Sequence, residues 1–369
     1  MSRVSKRDHI LVGLDIGTTK ICAIVAEVPE EGPLNIIGVG SCPSRGLRKG
    51  VVVNIESTVE SIKKAVEEAE LMAAVQINSV YTGIAGSHIS GENLKGVVAL
   101  KKQEVTRDDI SRAVESARTL AVIPHERRIL HVLPREFMVD DQEGVREPLG
   151  MSGNRLEVNV HVITGAVTSA QNIIKSVNRA GLDVVDIILQ PLASSEAVLS
   201  AEERELGVAM VDLGGGTTDL AIFLDGSIRH TAVLPIGGQN LTKDLAIGLL
   251  TSQTDAEKIK VQHGIARTEL VHGHQMVEVP SVGDRPPRQF TRRDIAEILE
   301  PRVEEMFDLV KREIVRAGYE GMLGAGVVIT GGTSLLEGMP DAAERGLNLP
   351  ARRGAPTGIG GLRDIVSNP

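Results

Sequence analysis

A chain of 369 residues, 42% hydrophobic and 24% charged, is long enough for two cored domains and too balanced in composition for disorder. Its 40 basic and 49 acidic residues give a formal net charge of -9, and with no Trp, 2 Tyr and 4 Phe it suits neither phosphate neutralisation nor base stacking, so no nucleic-acid partner is expected. No apolar stretch approaches the roughly 20 residues that span a bilayer, and Cys22 and Cys42, with no secretory signal before them, read as reduced cytoplasmic thiols rather than a disulfide scaffold.

With so few aromatics, the core must be built from Val, Ile, Leu and Ala, as where strands are covered on both faces by helices. The basic start, residues 1–7, reads as a frayed tail. His9 to Val28 is two apolar β segments joined by a Gly-Thr-Thr turn, a hairpin with a polar tip, and a third strand is expected at Asn35 to Gly40. A helix is expected from Ser57, where Ser57 and Glu60 fit a capping box and Val59, Ile62, Val66, Ala69 and Met72 recur at helical spacing. After a strand at Ser79 to Ala85, residues 86–157 change character: short strands, a Thr106-capped helix through Leu120, and prolines at 124, 134 and 148. That stretch reads as a small α+β module inserted into a larger domain, with the strand at 158–166 returning to the host.

A helix over Ser169 to Ala180 closed by Gly181, a strand at Val184 to Leu189 and a helix at Pro191 to Leu199 follow. The charged segment 201–207 reads as a linker or hinge. Beyond it the opening pattern recurs: residues 207–228 are again strand, Gly-Thr turn, strand, with Asp212 about 200 positions after Asp15, a domain-scale duplication. The polar stretch 251–293 holds a Gly/Pro-rich patch expected to be an exposed loop, 291–317 is an amphipathic stretch that Pro301 kinks or resets, and Ala325 to Thr330 is a buried strand running into GGTSLLEGMP.

Chemistry gathers in three elements: DIGTTK (15–20), DLGGGTTD (212–219) and GGTSLLEGMP (331–340). Glycines let the first two turns approach a ligand closely, and their backbone N–H groups and Thr hydroxyls can cradle a phosphate. Asp15 and Asp212, at the strand ends, could face one another and hold a hydrated Mg2+, which prefers oxygen ligands and keeps its waters. The third element, a Gly-Gly turn into a helix start, suits a nucleotide. His272 and His274 lack a third ligand at metal spacing, so no metal site is expected there.

The order and spacing of these elements resemble the actin, Hsp70 and sugar-kinase superfamily. Within it the chain resembles, over nearly its whole length, the FtsA family of bacterial actin-like cell-division proteins. The matches are NIIGVGSCPSRG (35–46), GIAGSHISG (83–91), LHVLP (130–134), LASS (192–195), ERELGV (203–208), VEVPSVGDRPPR (277–288) and LEPR (299–302). The resemblance implies an α/β, duplicated actin-like (ribonuclease H-like), two-lobed ATPase fold with an inserted α+β subdomain, 1C. It assigns 1–85 and 158–202 to the lobe I core (1A), 86–157 to 1C, 203–228 and 309–350 to the lobe II core (2A), 229–308 to 2B, and 351–369 to a return to lobe I.

It further implies ATP and Mg2+ as cofactors. Asp15, Gly17, Thr18, Thr19 and Lys20 would form the first phosphate loop, and Asp212, Gly214, Gly215, Gly216, Thr217 and Thr218 the second. Gly331, Gly332 and Thr333 would lie against the adenosine, and Glu257 and Lys260 would reach ribose and base, unless they belong to an ordinary charged helix. Gln190 stands where actin-like ATPases position the attacking water, or it only caps a strand. The family is better suited to binding ATP and polymerising than to rapid turnover, so at most a slow ATPase is implied.

The implied function is an ATP-binding, filament-forming cell-division protein that links the FtsZ ring to the cytoplasmic face of the bacterial inner membrane at the septum and recruits later divisome proteins through 1C. Nucleotide closing the lobes would favour one polymerising shape. The acidic FtsZ C-terminal tail would meet Arg285, Arg288, Arg292, Arg293 and Arg302 in 2B. Alternatives that keep the fold are a type IV pilus assembly protein, weakened by SCPSRG and VEVPSVGDRPPR, and an ATP-hydrolysing chaperone or sugar kinase. Members of the family reach the membrane through a C-terminal amphipathic helix. The chain stops at 365–369 without one, so by itself it is expected to be soluble and to bind anionic liposomes weakly.

Overall fold

In the opening hairpin of the computed structural model, which describes residues 9–283 and 285–362, alternation sets the geometry. β1 (Ile10–Ile16) and β2 (Lys20–Glu27) pair antiparallel and turn Val12, Leu14, Ile16, Ile21, Ala23 and Val25 into the lobe I core. β3 (Asn35–Pro43) runs three residues past its expected end, followed by the short β4 (Leu47–Arg48) and β5 (Val51–Val52). Helix α1 (Ile55–Ala73) starts before the expected Ser57, because Asn54 is its cap: the Asn54 side chain accepts the Ser57 N–H at 3.1 Å. Next comes β6 (Ser79–Ile84).

The inserted module contains β7 (Ser90–Ala99), α2 (Arg107–Leu120), β8 (Arg127–Val139), β9 (Gln142–Val145) and β10 (Arg155–Ala166), and its sheet runs β7-β10-β8-β9. Thr106 caps α2 as expected, in a capping box with Asp109. The boundary expected at 157 falls inside β10. That strand is the insert's own central strand, buried between β7 and β8, and lobe I resumes only with α3 (Val167–Arg179), β11 (Asp183–Leu189) and α4 (Gln190–Val198).

The charged segment expected as a linker is the helix α5 (Ala201–Leu206), started by a Ser200/Glu203 capping box. Lobe II then repeats lobe I: β12 (Val208–Leu213), β13 (Thr218–Leu224) and β14 (Ser227–Leu234) pair antiparallel in series. Helices α6 (Gly238–Gly248) and α7 (Gln253–His263) precede a hairpin of β15 (Met276–Val279) and β16 (Arg288–Thr291), and the Gly/Pro-rich patch expected as an exposed loop is the turn that joins its strands. Helix α8 (Arg292–Arg316) continues through Pro301. β17 (Val327–Thr330), α9 (Met339–Leu347), β18 (Ala351–Arg353) and β19 (Gly360–Gly361) complete the described fold.

The two main sheets share one topology. In lobe I, β3-β2-β1 are antiparallel and β1-β6-β11 parallel; in lobe II, β14-β13-β12 are antiparallel and β12-β17-β18 parallel. Two expected boundaries therefore shift: β14 and β18 belong to the lobe II sheet, and only β19, parallel to β3, returns to lobe I. Among the described residues no helix is long and apolar enough to cross a membrane. The tail at 1–7 and the end at 365–369 lie outside the described residues.

The insert also fastens onto the free edge of lobe II. His161 of β10 is buried, its Nδ1 hydrogen-bonded to Asn93 at 2.7 Å and its Nε2 to Thr231 of β14 at 3.0 Å. Asn93 donates to the Arg229 carbonyl at 3.2 Å and Ser227 to the Arg135 carbonyl at 2.8 Å. An edge strand that would otherwise expose unpaired backbone is thereby covered.

Candidate nucleotide site

The duplicated hairpins put their turns face to face. In the first, the Gly17 N–H donates to the Lys20 carbonyl at 3.1 Å and closes the turn tightly. In the second, Asp212 and Asp219 are cross-strand partners on β12 and β13. A Cβ on Gly215 would overlap the Thr19 hydroxyl, and one on Gly216 would sit 2.6 Å from Thr18 Oγ1. Only glycine permits this approach. The expected phosphate loops are thus brought together, with Thr18 also accepting the Gly50 N–H at 2.9 Å.

The third element joins them. Thr333 Oγ1 donates to the Gly214 carbonyl at 2.9 Å, within the 3-10 turn Gly332–Leu335 rather than an α-helix start. Gly331 takes φ +81°, which glycine alone adopts without strain. Lys260, on α7, donates to the Gly238 carbonyl at 3.2 Å, to Thr242 at 2.9 Å and to Glu257 at 2.8 Å. Glu257 and Lys260 therefore face the site as a pair.

Sequence reasoning missed Gly237 and Gly238. The backbone N–H groups of Gly238 and Gln239 donate to the Gly214 and Gly215 carbonyls at 2.9 and 2.8 Å, seating the start of α6 on the second turn. A Gly-Gly pair between a strand and a helix was the available signal. Also missed were Asp219 and Ser194.

Carboxylates dominate the electrostatics. Asp15 lies on the cleft floor, reachable by solvent but crowded by protein; this desolvation and the nearby Asp212 push its pKa up to about 6, while Lys20 and Gln190 oppose the shift. Asp212 is raised by burial, opposed by a hydrogen bond from Ser194. Asp219 is pushed up to about 8, by burial first and Asp212 next, with the Thr217 hydroxyl at 3.0 Å opposing. Its Oδ1 is buried without a hydrogen-bond partner. A buried orphan carboxylate oxygen beside two more carboxylates is the donor set a cation would satisfy. Among the described residues no three His, Cys, Asp or Glu side chains make a metal site of their own. The set therefore fits an ion that keeps waters and takes phosphate oxygens, as Mg2+ does. Asp15 and Asp212 would hold it, with Asp219 behind them.

Gln190 is the first residue of α4 and donates to Asp15 Oδ1 at 2.5 Å, so its amide is held by a carboxylate. The five arginines expected to meet the FtsZ tail do not form one free patch. Arg302 grips Asp244 at 2.6 and 3.2 Å and also pairs with Glu305; Arg292 pairs with Glu337 and Arg293 with Glu297. Arg288 stacks over Phe290 at 5.1 Å and donates to the Leu249 carbonyl, while Arg285 lies exposed near the hairpin tip.

Comparison with known proteins agrees with this architecture. A family model for "Cell division protein FtsA" matches residues 209–369, and one for the SHS2 domain inserted in FtsA matches 86–164, a span that includes nearly all of β10. The chain is 52% identical to the cell division protein FtsA of Pseudomonas aeruginosa, covering 98% of this chain and 86% of that one. It is 46% identical to the cell division protein FtsA of Escherichia coli (98% and 87%) and 40% to that of Bacillus subtilis (97% and 81%). Among solved structures, a PilM-PilN type IV pilus biogenesis complex superposes with TM-score 0.70 at 18% identity, covering 97% of this chain and 92% of that one. MreB5 of Spiroplasma citri bound to ADP gives 0.56 at 13% identity, covering 94% and 92%. At such identities the likeness is one of fold, whereas the sequence relatives separate this chain from the pilus proteins. The two duplicated lobes, the inserted SHS2 module and relatives of this identity along almost the whole chain lead to one conclusion: the chain belongs to the FtsA family of cell-division proteins and has the actin-like ATPase fold.

Proposed function

We propose that this chain binds Mg-ATP between its two Gly-Thr turns and, in that closed form, assembles with copies of itself into an actin-like filament. The filament would tie the FtsZ ring to the cytoplasmic face of the bacterial inner membrane at the septum, and the inserted module would recruit later divisome proteins. The observation that carries the nucleotide part is the face-to-face approach of Thr18 and Thr19 to Gly215 and Gly216 above three carboxylates. When bound, Mg2+ would neutralise phosphate charge. Thr18, Thr19 and the glycine turns bind the phosphates, Gly331 to Thr333 and the Glu257/Lys260 pair contact the nucleoside, and closure fixes the angle between the lobes. Gln190 spends one amide hydrogen on Asp15, which leaves its amide oxygen and second hydrogen to orient a water.

For the FtsZ contact, Arg302 is the pivotal group, and its partner Asp244 competes with an acidic tail for the same guanidinium. Arg302→Glu should abolish saturable binding of a labelled FtsZ C-terminal tail peptide to the ATP-loaded chain. Asp244→Asn should tighten the same binding roughly threefold, because a partly buried ion pair of about 0.2–1 kcal/mol no longer holds the guanidinium back. A folded, ATP-loaded wild type that binds no tail peptide would remove the FtsZ part of the proposal.

A further inference from the structure

Residues four apart on a helix stand one above the other. On α4 that pair is Gln190 and Ser194, and each holds one cleft carboxylate: Gln190 Nε2 donates to Asp15 Oδ1 at 2.5 Å, and Ser194 Oγ to Asp212 Oδ2 at 2.7 Å. The second bond crosses the molecule, since α4 belongs to lobe I and Asp212 to lobe II. The other oxygen of Asp212 is confined as well, because a Cβ on Gly331 would overlap Oδ1. Asp212 is thus clamped between a helix of one lobe and the nucleoside turn of the other.

Packing keeps α4 in place for this task. Leu192 and Val198 pack into the apolar cluster of Val208, Met210, Ala221 and Val328 where the lobes meet. The adjacent serine serves a different end: Ser195 is buried and donates back to the Pro191 carbonyl at 2.6 Å, within its own helix. The two serines of the LASS stretch are therefore not interchangeable. A serine hydroxyl is short and uncharged, so it can fix a carboxylate without neutralising it.

We propose that Ser194 is a positioning residue for the divalent cation of the nucleotide site, fixing the lobe II carboxylate from a lobe I helix so that lobe closure and a cation-ready Asp212 form one state. Its ligand class is a hydrated divalent cation bound with a nucleoside triphosphate, and it rests on the Mg-ATP reading above.

The test titrates fluorescent ATP into the full chain, with Mg2+ and with EDTA, for wild type, Ser194→Ala, Ser194→Thr and Ser195→Ala, each checked for folding by its thermal melt. Ser194→Ala should lose about tenfold in affinity with Mg2+, the loss expected of one hydrogen bond to a charged group, and nothing in EDTA. Ser194→Thr, which keeps the hydroxyl, should recover the wild-type cation dependence. Ser195→Ala should lower the melt without altering that dependence. Equal affinities for wild type and Ser194→Ala in Mg2+, or equal losses with and without the cation, would overturn the role of Ser194 and leave nucleotide binding standing. A wild type that binds no ATP in Mg2+ would instead overturn the nucleotide reading, and the inference with it.

Discussion

Asp219→Asn should make the nucleotide-free protein more stable at about pH 8 while blunting its stabilisation by Mg-ATP. In the native state burial and Asp212 raise the Asp219 pKa from 3.8 to about 8, whereas in the unfolded chain it returns to the ordinary carboxylate range. The unfolded chain therefore gives up its proton at lower pH than the folded one does. This group's contribution is fully present below the unfolded pKa and is lost as pH rises through the folded pKa, from about 4 to about 8. Asparagine cannot ionise, so the wild-type decline across that window should flatten in the variant, leaving it the more stable of the two by several kcal/mol at the alkaline end. The loss appears on adding ligand. A cation reverses the local logic by favouring ionised carboxylates, so wild type should show a large Mg-ATP-dependent rise in melting temperature and the variant a small one. Melting curves at several pH values, with and without Mg-ATP, measure both effects. A variant less stable than wild type at about pH 8 would mean that Asp219 is held as a structural carboxylate, not kept available for a cation.

Such opposed effects are what a binding site built at the expense of stability produces, and the sequence disclosed much of this one. The paired turns were legible because a Gly-Thr turn between two apolar strands is a local pattern, and its recurrence at Asp212 is visible without any fold. Contacts that depend on which strands become neighbours were not. The segment 158–166 reads as a host strand because Val158, Val160 and Val162 alternate as in any half-buried strand, yet nothing in that alternation says that its neighbours are β7 and β8. Ser194 reaches Asp212 only after two lobes have closed on each other. The arginines illustrate the same limit: composition supplied five cations, while the partners of Arg292, Arg293 and Arg302 came, in that order, from the segment before α9, from α8 itself and from α6. Local errors had local causes. Ser57 satisfied a capping pattern three residues inside a helix already capped by Asn54, and a dense run of charge hid the capping box of α5.

Replacing His161 should cost more stability than any surface change, because this side chain is the buried bolt between the insert and lobe II. It is 1% exposed, and both ring nitrogens are hydrogen-bonded, one to the insert's own Asn93 and one to Thr231 across the junction. His161→Leu keeps the volume but leaves the Asn93 and Thr231 polar groups facing an apolar side chain, each unsatisfied group costing about 1–3 kcal/mol, so a total of about 3 kcal/mol is expected. Acid should act on the same point. Burial, with His230 and Arg135 nearby, lowers the His161 pKa from 6.5 to about 3. The folded state refuses a proton that the unfolded chain accepts, so stability present above about pH 6.5 is lost as pH falls toward 3. His131, whose Nε2 accepts the Leu189 N–H at 3.0 Å, is also lowered by burial and adds to the same trend. The stability lost on His161→Leu, read as the shift in denaturant midpoint from wild type at the same pH, should therefore be larger at about pH 7 than at about pH 5. Because the bond to Thr231 spans the insert and the second lobe, His161→Leu and Thr231→Val should be non-additive when combined. Additive losses would mean that the insert rests against lobe II without being bolted to it, and that lobe closure cannot be felt at the surface where division partners are proposed to bind.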